Sequence, residues 1–206
     1  MVTLEQFVTD FARGMKLADQ RQPVAVNARR KIAFQAGIGP HSETETVKLV
    51  MIELAALSPE AYRQYRIGVP YPEKSRQKCD LCLGKPPSWE WAVEVKMLRL
   101  FGDNGKLNDN MLMHILSPYP EHRSALTDCD KLATSGLQGQ KAVVIYAFDT
   151  PHFPVEPAIR AFELLARDRA QLSSRFSAGF KDLVHPVHTY GLVVAWEVLD
   201  RQSPRD

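Results

Sequence analysis

Residues 78–98 read KCDLCLGKPPSWEWAVEVKML, and the period of this stretch decides the fold. Apolar and polar side chains alternate along residues 78–83 and again along 89–98, a period of two that marks strands, whereas much of the chain around them follows the three-to-four spacing of helices. Between the two runs, Gly84-Lys85-Pro86-Pro87-Ser88 has the composition of a connecting loop, so an antiparallel hairpin is expected. On its second strand Trp91, Val93, Val95 and Met97 share one face, and Ala92, Glu94 and Lys96 share the other. On its first strand Cys79, Leu81 and Leu83 form an apolar face and Asp80 falls opposite. Glu94 and Lys96 thus sit among apolar residues, where an unpaired charge is costly and demands partners. With the strands in register, Asp80 and Glu94 converge on one point with Lys96 beside it.

Working upstream, Leu4, Phe7, Val8 and Phe11 recur at helical spacing and predict an amphipathic helix ending near residues 14–18. A second helix is expected over residues 27–36, before Gly37-Ile38-Gly39-Pro40 forces a turn. A third begins at Ser42 or Thr44 with Glu45 in its first turn, buries Val47, Val50, Met51 and Leu54, and stops at Ser58-Pro59. Downstream, residues 103–109 read as a polar loop, 121–134 as a helix, and 142–148 as a continuous apolar run suited to a buried strand. A strand, a crossover helix and a second strand predict a parallel pair. Ala158, Ile159, Phe162, Leu165 and Ala166 mark one more helix, residues 191–199 a last strand, and residues 201–206 a flexible polar tail.

The expected fold is α/β: a central mixed sheet of four to five strands flanked by helices, with the hairpin and the 142–148 strand in its middle. With 206 residues, 45% hydrophobic and 24% charged, one domain over residues 1–200 is expected. No apolar run approaches the roughly 18 residues needed to cross a bilayer, and the first 19 residues are amphipathic rather than a signal sequence. Three cysteines argue against a disulfide framework. A cytoplasmic protein without a membrane partner is expected. The net charge of +2 is too small to announce a nucleic-acid binder by itself. Any such surface must be local, and Arg63, Arg66, Lys74, Arg76 and Lys78, opposed by Glu73 alone, form the candidate for phosphate contacts.

Two carboxylates at one point suit a hard divalent cation, which takes oxygen ligands. Such a cation orients and acidifies a water and stabilises charge on a phosphate, while an ammonium beside it stabilises the negative charge of the transition state. The plainer reading is an ordinary ion network of Asp80, Glu94 and Lys96.

Asp80, a hairpin-length gap and Glu94-Val95-Lys96 resemble the Asp...Glu-x-Lys signature of the PD-(D/E)XK, or restriction-endonuclease-like, nuclease superfamily. The order of elements over residues 45–148 is similar as well. The resemblance implies a magnesium-dependent nuclease, active with manganese in some members, that hydrolyses phosphodiester bonds in DNA and admits RNA. It implies metal ligation by Asp80, Glu94 and the Val95 carbonyl, and catalysis assisted by Lys96. Many members add an acid from a preceding helix, for which Glu53 is the first candidate here and Glu45 the second. Homodimers are common in the superfamily. Cys79 stands where the signature often has proline. A second expectation, from another class, is a non-catalytic module on the same fold that binds nucleic acid or protein and uses the acidic cluster structurally.

Other signals compete. Cys79-x-x-Cys82 and His185-x-x-His188 have the ligand types of a tetrahedral zinc site, but cysteines three apart in a regular strand point to opposite faces. His185, His188 and the pair Asp128 and Lys131 are placeable near a phosphate path, yet read more simply as loop and surface residues. Trp91 belongs to an apolar face and reads as core, with Trp89 and Trp196 as candidates for base stacking. No Walker-type loop and no Gly-x-Ser-x-Gly elbow occur.

Overall fold

The computed structural model describes residues 1–27, 29–74, 76–108 and 110–199. Thr3 opens the first helix, α1 (Leu4–Gln20), by accepting the Gln6 N–H, and Leu4, Phe7, Val8, Phe11 and Met15 form its buried stripe. Ser42 caps α2 (Glu43–Leu57) in the same way through the Glu45 N–H, with Val47, Val50, Met51 and Leu54 buried. The two helices meet at Gly14, where a Cβ would come within 2.8 Å of a Val50 methyl. After the short α3 (Pro59–Tyr62) come strands β1 (Tyr65–Pro70), β2 (Lys78–Gly84) and β3 (Trp89–Arg99), then α4 (Met113–Leu116), α5 (Ala125–Thr134), β4 (Gln140–Phe148), α6 (Glu156–Ala166), β5 (Gln171–Leu172), β6 (Phe176–Lys181) and β7 (Tyr190–Leu199).

Among the described residues these strands build one mixed, open sheet in the order β1-β2-β3-β4-β7, with β5 and β6 both pairing β7. The β2–β3 hairpin is antiparallel and β3–β4 is parallel, in register from Trp91↔Gln140 to Arg99↔Phe148. Helices α1 and α2 cover one face, over Leu81, Trp91, Val93, Val95, Val144 and Tyr146. The opposite face, with Ala92, Val143, Ile145 and Val194, packs against Leu126 and Cys129 of α5 and Ile159 and Phe162 of α6. No helix among the described residues is long and apolar enough to cross a membrane.

The expected hairpin, its parallel neighbour and the helices at 42–57 and 156–166 are present, but the sheet has seven strands rather than four or five. β1 carries Gly68 in the left-handed region (φ +70°) and ends in proline, features that read as turn and not strand. β6 is a half-exposed strand whose Ser177 and Gly179 weaken its pattern, and its pairing with β7 supplies what local preference lacks. No helix forms among the described residues of the stretch 27–36. Asn27 Oδ1 instead accepts the N–H groups of Arg29 and Arg30, and Val26 bridges Ala33, a side-chain-closed turn that competes with helix. The helix expected over 121–134 begins only at Ala125, because Arg123 takes a left-handed conformation (φ +49°) and Ser124 then caps α5. The tail expected at 201–206 lies outside the described residues.

Candidate active site

Paired residues Leu83↔Trp91, Cys82↔Ala92 and Leu81↔Val93 join β2 to β3, and there the ladder ends. β2 remains paired with β1 out to Pro70↔Lys78, while β3 continues along β4 to Arg99. The β1–β2 ribbon therefore parts from the sheet at Asp80. It also rolls over there: Ile67 and Leu81 pack on the α1/α2 face, whereas Val69 and Cys79 pack on the other. Gly68 and Asp80 stand between these two pairs, and the positive φ of Gly68 is a conformation that glycine adopts without strain. For this reason Cys79 shares a face with Cys82 rather than with Leu81 and Leu83, contrary to strict alternation.

The parting strands leave β3 backbone donors to be satisfied by side chains. Asp80 Oδ2 accepts the Val95 N–H at 2.9 Å, and Glu43 Oε2, from the first turn of α2, accepts the Met97 N–H at 2.9 Å. Lys96 lies between the two carboxylates. Its Nζ is 3.1 Å from the Val95 carbonyl oxygen, 3.4 Å from Glu43 Oε1, 3.7 Å from Asp80 Oδ2 and 2.8 Å from Asp128 Oδ2 on α5. Lys131, one helical turn beyond Asp128, reaches Asp128 Oδ1 at 2.5 Å and Glu94 Oε1 at 3.0 Å. The Tyr71 hydroxyl donates to Glu94 Oε1 at 2.5 Å.

Four carboxylates thus face two ammonium groups. Asp128 and Glu94 are 0% and 1% exposed and Lys96 8%. The Asp80 and Glu43 side chains, at 29% and 30%, open onto a cavity of about 320 Å³ also lined by Ile67, Gly68 and Lys78. Burial, reinforced by the Asp128 and Asp80 charges, holds the Glu94 carboxyl well above the usual glutamate range. Burial likewise raises Glu43, against the opposing pull of Lys96. For Lys96, burial opposes the charge, but Asp128, Glu43, Asp80 and Glu94 outweigh it and lift its pKa well above that of an ordinary lysine. Lys96 is a fixed cation at neutral pH, not a general base.

No protein-family model, curated protein or solved structure matches the chain. What the cluster does must be read from its own geometry.

Asp80 and the Val95 carbonyl meet the Lys96 ammonium, whereas Glu94 points to Lys131 and Tyr71. The preceding helix contributes a different acid from those expected. Glu53 bonds Arg21 at 3.0 and 3.3 Å, and Glu45 pairs Lys48 at 2.5 Å. Glu53 lies ten residues beyond Glu43, about 15 Å along the helix, so only the first turn of α2 reaches the gap. Asp128 and Lys131 are not a surface pair: Asp128 is buried and Lys131 half-buried, and together they wall the cluster. Arg63, Arg66, Lys74, Arg76 and Lys78 are exposed around the β1–β2 ribbon, and Lys78 lines the cavity.

The remaining candidates lie elsewhere. His185 and His188 are buried and stacked at 4.7 Å, with His188 Nε2 3.1 Å from Asp103 Oδ1. His188 packs on Phe148, on the α1/α2 face. Cys79 and Cys82 pack on the other face, so the four residues do not form a zinc tetrahedron. The Trp91 and Trp196 indoles donate to the Val2 carbonyl and to Glu163, and Trp89 is buried; all three are core.

Tyr71→Phe removes the Glu94 hydrogen bond while keeping the ring. It is expected to lower unfolding free energy by about 1.5–3 kcal/mol, the range for a hydrogen bond to a charged group, as measured by urea denaturation. An unchanged midpoint would mean that the hydroxyl contributes nothing to holding Glu94.

Proposed function

We propose that this chain is a divalent-cation-dependent nuclease that hydrolyses phosphodiester bonds in DNA on a restriction-endonuclease-like sheet. The observation that carries the reading is the convergence of Asp80, the Val95 carbonyl and Glu43 on the Lys96 ammonium at the point where β2 leaves β3. These oxygens already surround a cation. The donor set is all oxygen, as magnesium or manganese requires. Asp80, Glu94 and the Val95 carbonyl are the proposed ligands, with Glu43 as the additional acid. When bound, the cation supplies an oriented, acidified water and draws charge from the phosphate.

The chain's own groups do the rest. Lys96, held as a cation, stabilises the charge that builds on the phosphate oxygens. Asp128 fixes the Lys96 ammonium from behind, and Lys131 and Tyr71 fix Glu94, so the reacting phosphate meets groups already oriented. Lys78 lines the cavity through which a phosphate approaches Asp80.

A second reading rests on the burial of Glu94 and Lys96 and their ion pairs with Lys131 and Asp128: a non-catalytic module that binds nucleic acid or protein and uses the same cluster as a structural ion network. The two readings separate in one experiment. Plasmid, linear and single-stranded DNA, and RNA, are incubated with the protein and magnesium or manganese, and cation binding is followed by calorimetry. Metal-dependent cleavage supports the nuclease; no cleavage of any substrate together with no heat of cation binding supports the module.

The same assay distinguishes the two acids of α2. Glu43→Ala is expected to lower cleavage about 10- to 100-fold, the usual effect of losing a supporting group at a metal site, and Glu53→Ala to leave it at the wild-type rate. Equal rates for both variants would remove Glu43 from the site.

A further inference from the structure

The cluster cavity has a neighbour across the first turn of α2. Glu43 and Thr44 line the first cavity, while His41, Ser42 and Glu45 line a second one of about 450 Å³. Met97 lines this second cavity, and its backbone N–H is the one held by Glu43. Arg99 lines it too: its Nη1 donates to the Gly39 carbonyl at 2.6 Å and to Asp103 Oδ1 at 2.9 Å, and its Nε has no hydrogen-bond partner among the described residues. The opposite wall is Val24, Val26 and Phe34. These belong to a formed turn: Asn27 N–H donates to the Ile32 carbonyl, Phe34 N–H to Ala25, and the Asn27 side chain closes the tip. The tip carries Arg29, Arg30 and Lys31, all exposed, beside the exposed apolar Val26 and Ile32, 58% and 60% accessible. Nothing in the core requires three consecutive cations here, and Lys31 is held at φ +57°, a conformation uncommon for lysine.

We infer that residues 25–27 and 29–33 belong to a basic arm that grips the backbone of a single-stranded nucleic acid, and that the cavity between the arm and α2 receives the nucleotide next to the scissile phosphate. The inference rests on the nuclease reading of the neighbouring cluster. Cations at the tip complement phosphates, and the apolar wall of Val24, Val26 and Phe34 suits an unstacked base. In a duplex that base is paired and stacked and is not available to a cavity. The two cavities flank the same first turn of α2, so a strand crossing the α2 N-terminus reaches both.

The test is binding of a fluorescent single-stranded oligonucleotide, and of the same sequence as a duplex, by anisotropy in EDTA across a salt series, so that no cleavage occurs. The triple variant Arg29→Ala/Arg30→Ala/Lys31→Ala is expected to bind the single strand about tenfold or more weakly. Its slope of log affinity against log salt should fall by about 2, since each phosphate contact on a single strand contributes about 0.7. Val26→Asp should also weaken the single strand, by placing an anion in the cavity wall. Lys85→Ala/Arg167→Ala, which removes two exposed cations elsewhere, should bind as wild type. An unchanged slope in the arm variant, an equal loss in the control, or a duplex bound as tightly as the single strand would overturn the inference. Thermal unfolding of each variant separates binding from folding, because the mutated side chains are exposed. A wild type that binds through the arm yet cleaves nothing with magnesium overturns the nuclease and leaves the arm. A wild type that cleaves while the arm variant binds unchanged does the reverse.

Discussion

Lys96→Ala abolishes most magnesium-dependent cleavage, with an expected loss of about 10²- to 10³-fold, the usual effect of removing one preorganised group that stabilises transition-state charge. Glu94→Ala is expected to fall at least as far, because it removes a proposed cation ligand. The two losses have different signatures. Lys96→Ala retains the four carboxylates, so it should still bind magnesium in calorimetry while failing to turn over. Glu94→Ala should lose affinity for the cation as well. Both Glu94 and Glu43 bind protons more tightly than ordinary glutamates, because burial and neighbouring carboxylates disfavour their charged forms. A cation requires them ionised, so wild-type cleavage should rise with pH through values above the usual glutamate range and should release protons on metal binding. Undiminished cleavage in both variants, each purified alike and folded by circular dichroism, would sink the assignment of the site.

Lys96→Met tests the cluster without reference to catalysis. The methionine keeps most of the stem's volume but leaves Glu43, Asp80, Glu94 and Asp128 facing Lys131 alone. Breaking a buried ion network by removing one partner costs about 3–5 kcal/mol, and here the cost should depend on pH and on cations. The fold raises the pKa of Glu94 and Glu43, so protonation favours the native state. That contribution is fully present below the unfolded carboxylate range and is lost as pH rises through the raised values. Without Lys96, which opposes the rise at Glu43, the values go higher still. The variant should therefore be least stable near about pH 8, recover stability toward about pH 5, and recover part of it at high pH when magnesium is added. Thermal unfolding across pH, with and without magnesium, gives the answer. A loss independent of both would show that Lys96 matters through packing of its stem and not through its charge.

Much of the site is legible because it is local. Glu94, Val95 and Lys96 are consecutive on one strand, and alternation alone assigns the carboxylate and the ammonium to the face opposite Trp91, Val93 and Val95. Asp80 is one short hairpin away. The capped helix at Ser42 and the apolar run at 142–148 are equally local, since each announces itself through its own period and punctuation. Residues 27–36 show where that approach fails: a plausible helical composition was overridden by a turn closed through the Asn27 side chain.

The sequence by itself determined the sheet-forming hairpin, the faces of its second strand, the capped helix at Ser42 and the placing of Asp80 beside Lys96. The tertiary structure alone decided where β2 leaves β3, and therefore that Glu43 rather than Glu53 caps a free N–H of β3. It alone made Asp128 and Lys131 the partners of Lys96 and Glu94, placed Tyr71 on Glu94, and recruited the weak strands β1 and β6. The reason is physical. Side-chain periodicity is a property of neighbours along the chain, whereas unmet backbone donors and buried charges choose their partners among whatever groups the packed helices bring within about 3 Å, the range of a hydrogen bond.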